Sequence, residues 1–151
     1  MGHYAIGASV AVLALSVLVH AAIAAPVCTG TDPTLRPILP ALAPTVAAAF
    51  HARMTPEEVE RNGFVRCDHD TVLACLTGAN LNCGKANTAQ TNPGAAYWCH
   101  SHPNAEFIPA FATGHETIYA WRCRGTQAAI DRQVQQLDPS GFVAGAWKPL
   151  R

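Results

Sequence analysis

Phe64-Val65-Arg66-Cys67-Asp68-His69-Asp70-Thr71-Val72-Leu73-Ala74-Cys75 is the stretch from which the architecture follows. Two runs rich in β-branched and apolar residues flank a short polar segment, and that pattern predicts a β-hairpin over 64–75. Asp68-His69-Asp70 is read as the turn, where Asp serves by bonding to nearby backbone, and a metal-binding role for it is the weaker reading. Just upstream, Thr55-Pro56-Glu57-Glu58 has the N-cap Thr, the Pro at the first helical position and the Glu of a capping box. It predicts one or two helical turns over 56–61, with Asn62-Gly63 as a left-handed stop.

Working outward, residues 25–54 read as a proline-punctuated lead-in (Pro26, Pro33, Pro37, Pro40, Pro44), extended and draped over the domain. Within it Pro44–Met54 carries a short helix, with Val46, Phe50 and Met54 on one face. Downstream, residues 77–92 are rich in Gly, Asn and Thr and read as loop. Pro93–Ser101 predicts a helix capped by Asn92, ending before Pro103 and carrying Tyr97, Trp98 and Cys99 toward the core. Thr117–Arg124 alternates, with Ile118, Ala120 and Arg122 on one face and Tyr119, Trp121 and Cys123 on the other. Gly125-Thr126 turns the chain into a strand near 129–137, Asp138-Pro139-Ser140-Gly141 makes a second turn, and Phe142–Trp147 is read as a last strand. The expected fold is α+β and disulfide-stabilised, with two or three short helices. Its small antiparallel sheet would be built from the hairpin near 64–75 and a C-terminal meander near 117–147, the two hairpins sharing one sheet. The globular domain spans 55–151.

The N-terminus predicts export. Ala5–Val19 is an apolar run of 15 residues, followed by small residues placed for a cut after Ala24, so residues 1–24 read as a signal peptide. Met1–Tyr4 contains no Lys or Arg, which makes a weak n-region. The run is shorter than the roughly 20 residues a bilayer requires and no basic stop-transfer cluster follows, so no stable membrane anchor is expected after the leader is removed. Ala25-Pro26-Val27 lacks the small residue a lipid-anchored cysteine needs before it. All six cysteines (Cys28, Cys67, Cys75, Cys83, Cys99 and Cys123) lie downstream of the leader. Six allow three bridges in fifteen connectivities, and spacing alone does not choose among them. With no CxxC or zinc-ribbon pair, a disulfide framework is favoured over metal ligation in a periplasmic or secreted protein.

Charge narrows the function classes. Ten Lys and Arg balance ten Asp and Glu, all beyond the leader, so no basic face is available for nucleic acid or an anionic membrane. The alanine-rich core is thin, and the bridges are expected to carry part of the stability at about 2–4 kcal/mol each. Gly78-Ala79-Asn80-Leu81-Asn82-Cys83-Gly84-Lys85 resembles a phosphate loop only superficially. Five residues separate the glycines instead of four, and Ala86 stands where a magnesium-binding hydroxyl is required.

The most chemically suggestive cluster is Cys99-His100-Ser101-His102. Cys99 and the two histidines, with His115 or His69 completing the shell, could ligate copper or zinc, or Cys99 and His100 could act as a nucleophilic pair. Both schemes want Cys99 as a thiolate. If Cys99 is bridged, His100 and His102 sit at a helix C-terminus, where a partial positive charge is favourable. Serine hydrolysis lacks its nucleophile elbow, since the chain beyond the leader has only Ser101 and Ser140. Glu106 and Glu116, flanking 107–115, are the carboxylate pair that a small cell-wall hydrolase would use. Tyr97, Trp98, Tyr119, Trp121 and Trp147 could form a binding face, or equally well pack against disulfides.

The short motifs Val65-Arg66-Cys67, Ala74-Cys75, Gly78-Ala79-Asn80-Leu81-Asn82-Cys83, Lys85-Ala86, Phe107-Ile108-Pro109, Thr113-Gly114-His115, Thr117-Ile118-Tyr119 and Trp121-Arg122-Cys123 resemble those of a set of small exported bacterial proteins with no assigned reaction. The resemblance spans roughly residues 55–148. It implies a secreted or periplasmic disulfide-paired domain and carries over no functional residue. A looser similarity to periplasmic lysozyme inhibitors rests on size, export, bridges and the β-rich C-terminal part. The expectation is therefore a non-enzymatic domain without a cofactor that binds an envelope protein or a glycan. Metal handling through His100, His102 and His115 is the first alternative, and hydrolysis the second.

Overall fold

The computed structural model describes residues 28–78 and 81–150; the expected leader lies outside them. The fold is α+β, with two antiparallel sheets, four α-helices and three disulfides among the described residues. At its centre is the predicted hairpin. Strands β2 (Gly63–Asp68) and β3 (Thr71–Leu76) pair without interruption from Gly63↔Leu76 to Asp68↔Thr71. His69 enters the tight turn at φ 52°.

The lead-in is extended, as its prolines require, but it is hydrogen-bonded into the sheet instead of draped over it. Asp32–Pro37 forms β1 and pairs with β2 through Asp32↔Cys67 and Arg36↔Val65. Proline has no N–H for a ladder, which is tolerated at a sheet edge and discourages another chain from pairing there. Helix α1 (Ala43–Phe50) follows and stops at His51, which takes a left-handed φ of 51°. Ile38, Ala43 and Val46 from this segment pack with Val59, Val65, Ala74 and Leu76, and Phe50 and Met54 close the flank. Residues of the lead-in and of the hairpin thus share one core.

Helix α2 (Pro56–Asn62) carries both arms of the capping box. Glu58 N–H donates to Thr55 Oγ1 (3.3 Å) and Thr55 N–H donates to Glu58 Oε2 (2.8 Å). Thr55→Ala is expected to cost about 1 kcal/mol in chemical denaturation, because one of the helix's orphan donors loses its partner. An unchanged midpoint would show that water replaces the cap. The stop differs from expectation. Gly63 is extended (φ −117°, ψ 153°) and opens β2 directly. It is glycine because a Cβ there would lie 2.0 Å from Ile38 Cδ1 and 2.6 Å from the Val59 carbonyl oxygen.

The second half contains helix α3 (Pro93–Ser101), the single turn α4 (Ala110–Thr113), and strands β4 (Tyr119–Arg124) and β5 (Gln127–Gln133). β4 and β5 form their own two-stranded sheet, and the two hairpins do not join. The expected third strand of the meander is also absent. Phe142–Trp147 instead contains a 3-10 turn at Ala144–Ala146, after which Lys148–Pro149 forms β6 and pairs with β3 in the first sheet.

The reason lies in what Phe142 and Trp147 must reach. Five residues apart on a strand, they would point to opposite faces. The turn brings both rings onto Arg66, whose Cζ lies 4.6 Å from each ring centroid. Arg66 is 2% exposed and forms an ion pair with Asp138. The other Asp138 oxygen accepts the N–H groups of Ser140 (2.9 Å) and Phe142 (3.1 Å), so one carboxylate both builds the predicted turn at 138–141 and holds the arginine. Phe142, Ala146 and Trp147 complete this core with the bridged pair Cys75 and Cys83.

The remaining bridges are Cys28–Cys67, tying the start of the described chain to β2, and Cys99–Cys123, tying α3 to β4. No cysteine is free among the described residues, and no described helix is long and apolar enough to cross a membrane. Three disulfides point to an oxidising compartment, extracellular or periplasmic.

Candidate ligand-binding groove

Helices α3 and α4 are clamped together by one side chain. Asn92 caps α3 by accepting the Ala95 N–H (2.9 Å), and its amide donates to the Thr113 carbonyl at the end of α4 (2.7 Å). The two helices approach so closely that a Cβ on Gly94 would fall 1.9 Å from the Ala112 oxygen. Below them Cys99 is fully buried against Ala95, Ile108, Trp121 and Cys123.

The segment before α4 covers the outer edge of β4. Cys123 N–H donates to Ala105 O (2.7 Å) and Ile108 N–H donates to Trp121 O (3.0 Å). Ile108 is thereby turned inward at 3% exposure, while Phe107 stands out at 68%. On the opposite side of β4 the pairing slips by one residue: Ala120 opposes Arg132, but Trp121 opposes Ile130. The extra residue is Asp131, and a bulge of this kind re-aims side chains. Asp131 and Arg132 would alternate between faces on a regular strand. Here they line the same surface and form an ion pair at 2.6 Å.

These two edges bound an open groove of about 570 Å³. Trp121, 3% exposed, belongs to its floor and is held by donating its indole N–H to Thr117 Oγ1 (3.2 Å). Tyr119 stands edge-on to it, with ring centroids 6.2 Å apart and planes at 90°. Phe107 supplies a second aromatic surface, and Glu106, His115, Asp131, Arg132 and Gln135 supply the polar groups. A second cavity of about 540 Å³, lined by Asn92, His100 and Gln127 among others, also reaches Trp121. A smaller one of about 190 Å³ holds Lys85, Glu116 and the other side of His115.

No family model, curated protein or solved structure matches this chain.

The five aromatics weighed as a binding face or as packing for the disulfides are distributed over three places, and Trp121 and Trp147 are core beside the bridges. Trp147 (6% exposed) packs against Arg66 and edge-on to Phe142, and Trp121 is floor. Tyr97 departs from the expected inward orientation and is 79% exposed on the outer side of α3. Trp98 stacks on His102 (3.9 Å, 8° between planes) and meets the exposed Phe111 edge-on at 5.4 Å. Only Tyr119 and Trp121 belong to the groove.

The proposed metal ligands are not brought together either. His102 is occupied by Trp98, both through the stack and through Nδ1, 3.1 Å from the Trp98 carbonyl oxygen. His100 and His115 line different cavities. Among the described residues no three His, Cys, Asp or Glu side chains are placed to hold a metal. Cys99 is bridged to Cys123, which removes the nucleophilic pair. Glu106 and Glu116 likewise line separate cavities instead of facing each other across one. Sequence reasoning missed Phe107, Asp131 and Arg132 as site residues. Phe107 offered a signal, as an aromatic between a charge and the Ile-Pro that turns into α4. The bulge that re-aims Asp131 and Arg132 left none.

Proposed function

We propose that this is an exported, non-enzymatic binding domain whose ligand site is the groove between residues 106–120 and 131–135. The supporting observation is the combination of an exposed Phe107, a half-buried Tyr119 and groups of both charges around one concave surface. A cleft of about 300–1,000 Å³ with a few convergent polar groups is the usual form of a small-ligand site, and this groove falls in that range. The bridge Cys99–Cys123 and the Asn92 clamp, which takes up only the Thr113 backbone carbonyl, hold its walls without using any of its polar side chains. Its rigidity limits the ordering cost of binding.

The partner is an envelope protein or glycan. Isotope-labelled protein titrated with separated protein and glycan fractions of envelope extract is expected to show amide shifts clustered at 106–108, 115–121 and 131–135. Residues of the Val46–Val59 core should stay fixed. Shifts confined to Tyr97 and Phe111, or none at all, would remove the groove as the site.

A further inference from the structure

We infer that the groove takes a neutral saccharide, a short oligosaccharide laid against Phe107 and Tyr119 with its hydroxyls on Glu106, Asp131, Arg132 and Gln135; this rests on the groove being the binding site. Phe107 is 68% exposed and has no stacking partner among the described residues. The apolar C–H face of a sugar ring would cover it and recover the cost of leaving an aromatic surface in water. Around it stand planar groups suited to pairs of neighbouring hydroxyls: two carboxylates that accept, a guanidinium that donates, and an amide that does both.

Other ligand chemistries fit less well. Arg132 is already paired with Asp131, and Glu106 adds a further negative charge, so the groove has no surplus cation for a phosphate, sulfate or carboxylate. An acyl chain would need a continuous apolar lining, which Glu106, His115, Asp131, Arg132 and Gln135 interrupt. An extended peptide draws its affinity from main-chain bonds to a free edge. Five backbone donors along these walls are already committed: Ile108 donates to Trp121 O, Thr113 to Pro109 O, Gly114 to Ala110 O, and Val134 and Gln135 both to Ile118 O. Recognition at those positions runs through side chains, and that is how sugars are read. The outer edge of β5 is where a peptide could pair, and the peptide arm of the test addresses it.

Triacetylchitotriose, cellotriose and maltotriose, each titrated at millimolar concentration into the oxidised protein and followed by amide shifts, provide the test. At least one is expected to move the resonances of Phe107, Tyr119 and Gln135. Phe107→Ala should weaken that binding roughly tenfold, the scale of one aromatic contact, and Asp131→Asn should also weaken it. Tyr97→Ala, outside the groove, should leave it unchanged. If the three sugars leave the groove unmoved while a pooled hexapeptide library shifts it, the saccharide is overturned and the binding site stands. If neither class nor the envelope fractions shift the groove, both fail together. Binding that survives Phe107→Ala and Asp131→Asn intact would also overturn the inference, because the sugar would then lie elsewhere.

Discussion

Arg66→Ala is expected to destabilise the domain by about 3–5 kcal/mol, the range found when one partner of a buried ion pair is removed. Three losses coincide. Asp138, whose side chain is only 13% exposed, keeps its charge but loses the guanidinium. Phe142 and Trp147, set edge-on to each other at 5.4 Å, lose the cation that rests against both rings, leaving a void beside them. The turn at 138–141 loses its side-chain tie to β2 and is left with Asp138 Oδ1 and its own backbone bonds, Gly141 N–H to Asp138 O and Asp138 N–H to Phe142 O. Arg66→Lys should recover part of the loss, since an ammonium keeps the charge but has no flat face to lay against a ring. The double variant Arg66→Met, Asp138→Asn should be less damaging than Arg66→Ala alone. Methionine fills the slot, no unpaired charge is buried, and the asparagine oxygen can still accept from Ser140 and Phe142. Urea denaturation with disulfides intact decides it. A shift in midpoint worth less than about 1 kcal/mol at unchanged slope would mean that the Arg66 cluster contributes little to folding.

The second large effect is expected from Cys99→Ala with Cys123→Ala. Loop closure over its 24-residue separation gives about 3.5 kcal/mol, against about 4 for Cys28–Cys67 over 39 residues and about 2.5 for Cys75–Cys83 over 8. Loop entropy alone therefore ranks the Cys28–Cys67 bridge first. Packing changes the order, because Cys99 is completely buried beneath α3 and its truncation adds a cavity beside Ala95 and Trp121. Cys28, just before β1, and Cys67, on β2, retain 7% and 6% exposure, so neither is as deep as Cys99. The two losses also differ in kind. Without Cys99–Cys123, α3 is no longer tethered to β4, so ligand-induced shifts in the groove should weaken along with stability. Without Cys28–Cys67 the midpoint should fall while groove binding persists. Equal retention of binding in both variants would show that the Asn92 clamp suffices to hold the groove.

Local signals were readable wherever neighbouring residues decide the outcome. The capping box at Thr55–Glu58, the Asn92 cap and the turns at 68–71 and 138–141 all involve partners within a few positions, and all are present. Signals failed where a distant residue overrode the local one. Asn62-Gly63 suggests a left-handed stop, yet Gly63 is required for its missing Cβ against Ile38. The aromatic-rich run at 142–147 reads as strand, yet it bends because Arg66 lies in the other sheet. Arg66 itself carried a faint warning, as a charge set among Val65, Cys67 and their apolar neighbours on a strand.

The site divides the same way. Tyr119 and Trp121 alternate on a strand, so their common face was legible from the period of two. Asp131 and Arg132 reach the groove only through a bulge, and a one-residue slip between strands leaves no trace in composition or periodicity. The histidine pair at 100 and 102 showed the converse failure, since proximity in sequence did not produce convergence in space.

By itself the sequence determined the α+β class, three of the four α-helices with the caps at Thr55 and Asn92, the central hairpin and the full use of cysteine as cross-link, but not the single turn at Ala110–Thr113. Each of these depends on bonds or propensities spanning a few residues, or on a simple count. The tertiary structure alone decided which cysteines pair, that the two hairpins lie in separate sheets, and that a groove opens between the Phe107 segment and β5. Those outcomes are set by burial and close approach between residues far apart in the chain, and such contacts are energies of the whole packed molecule, not of any segment of it.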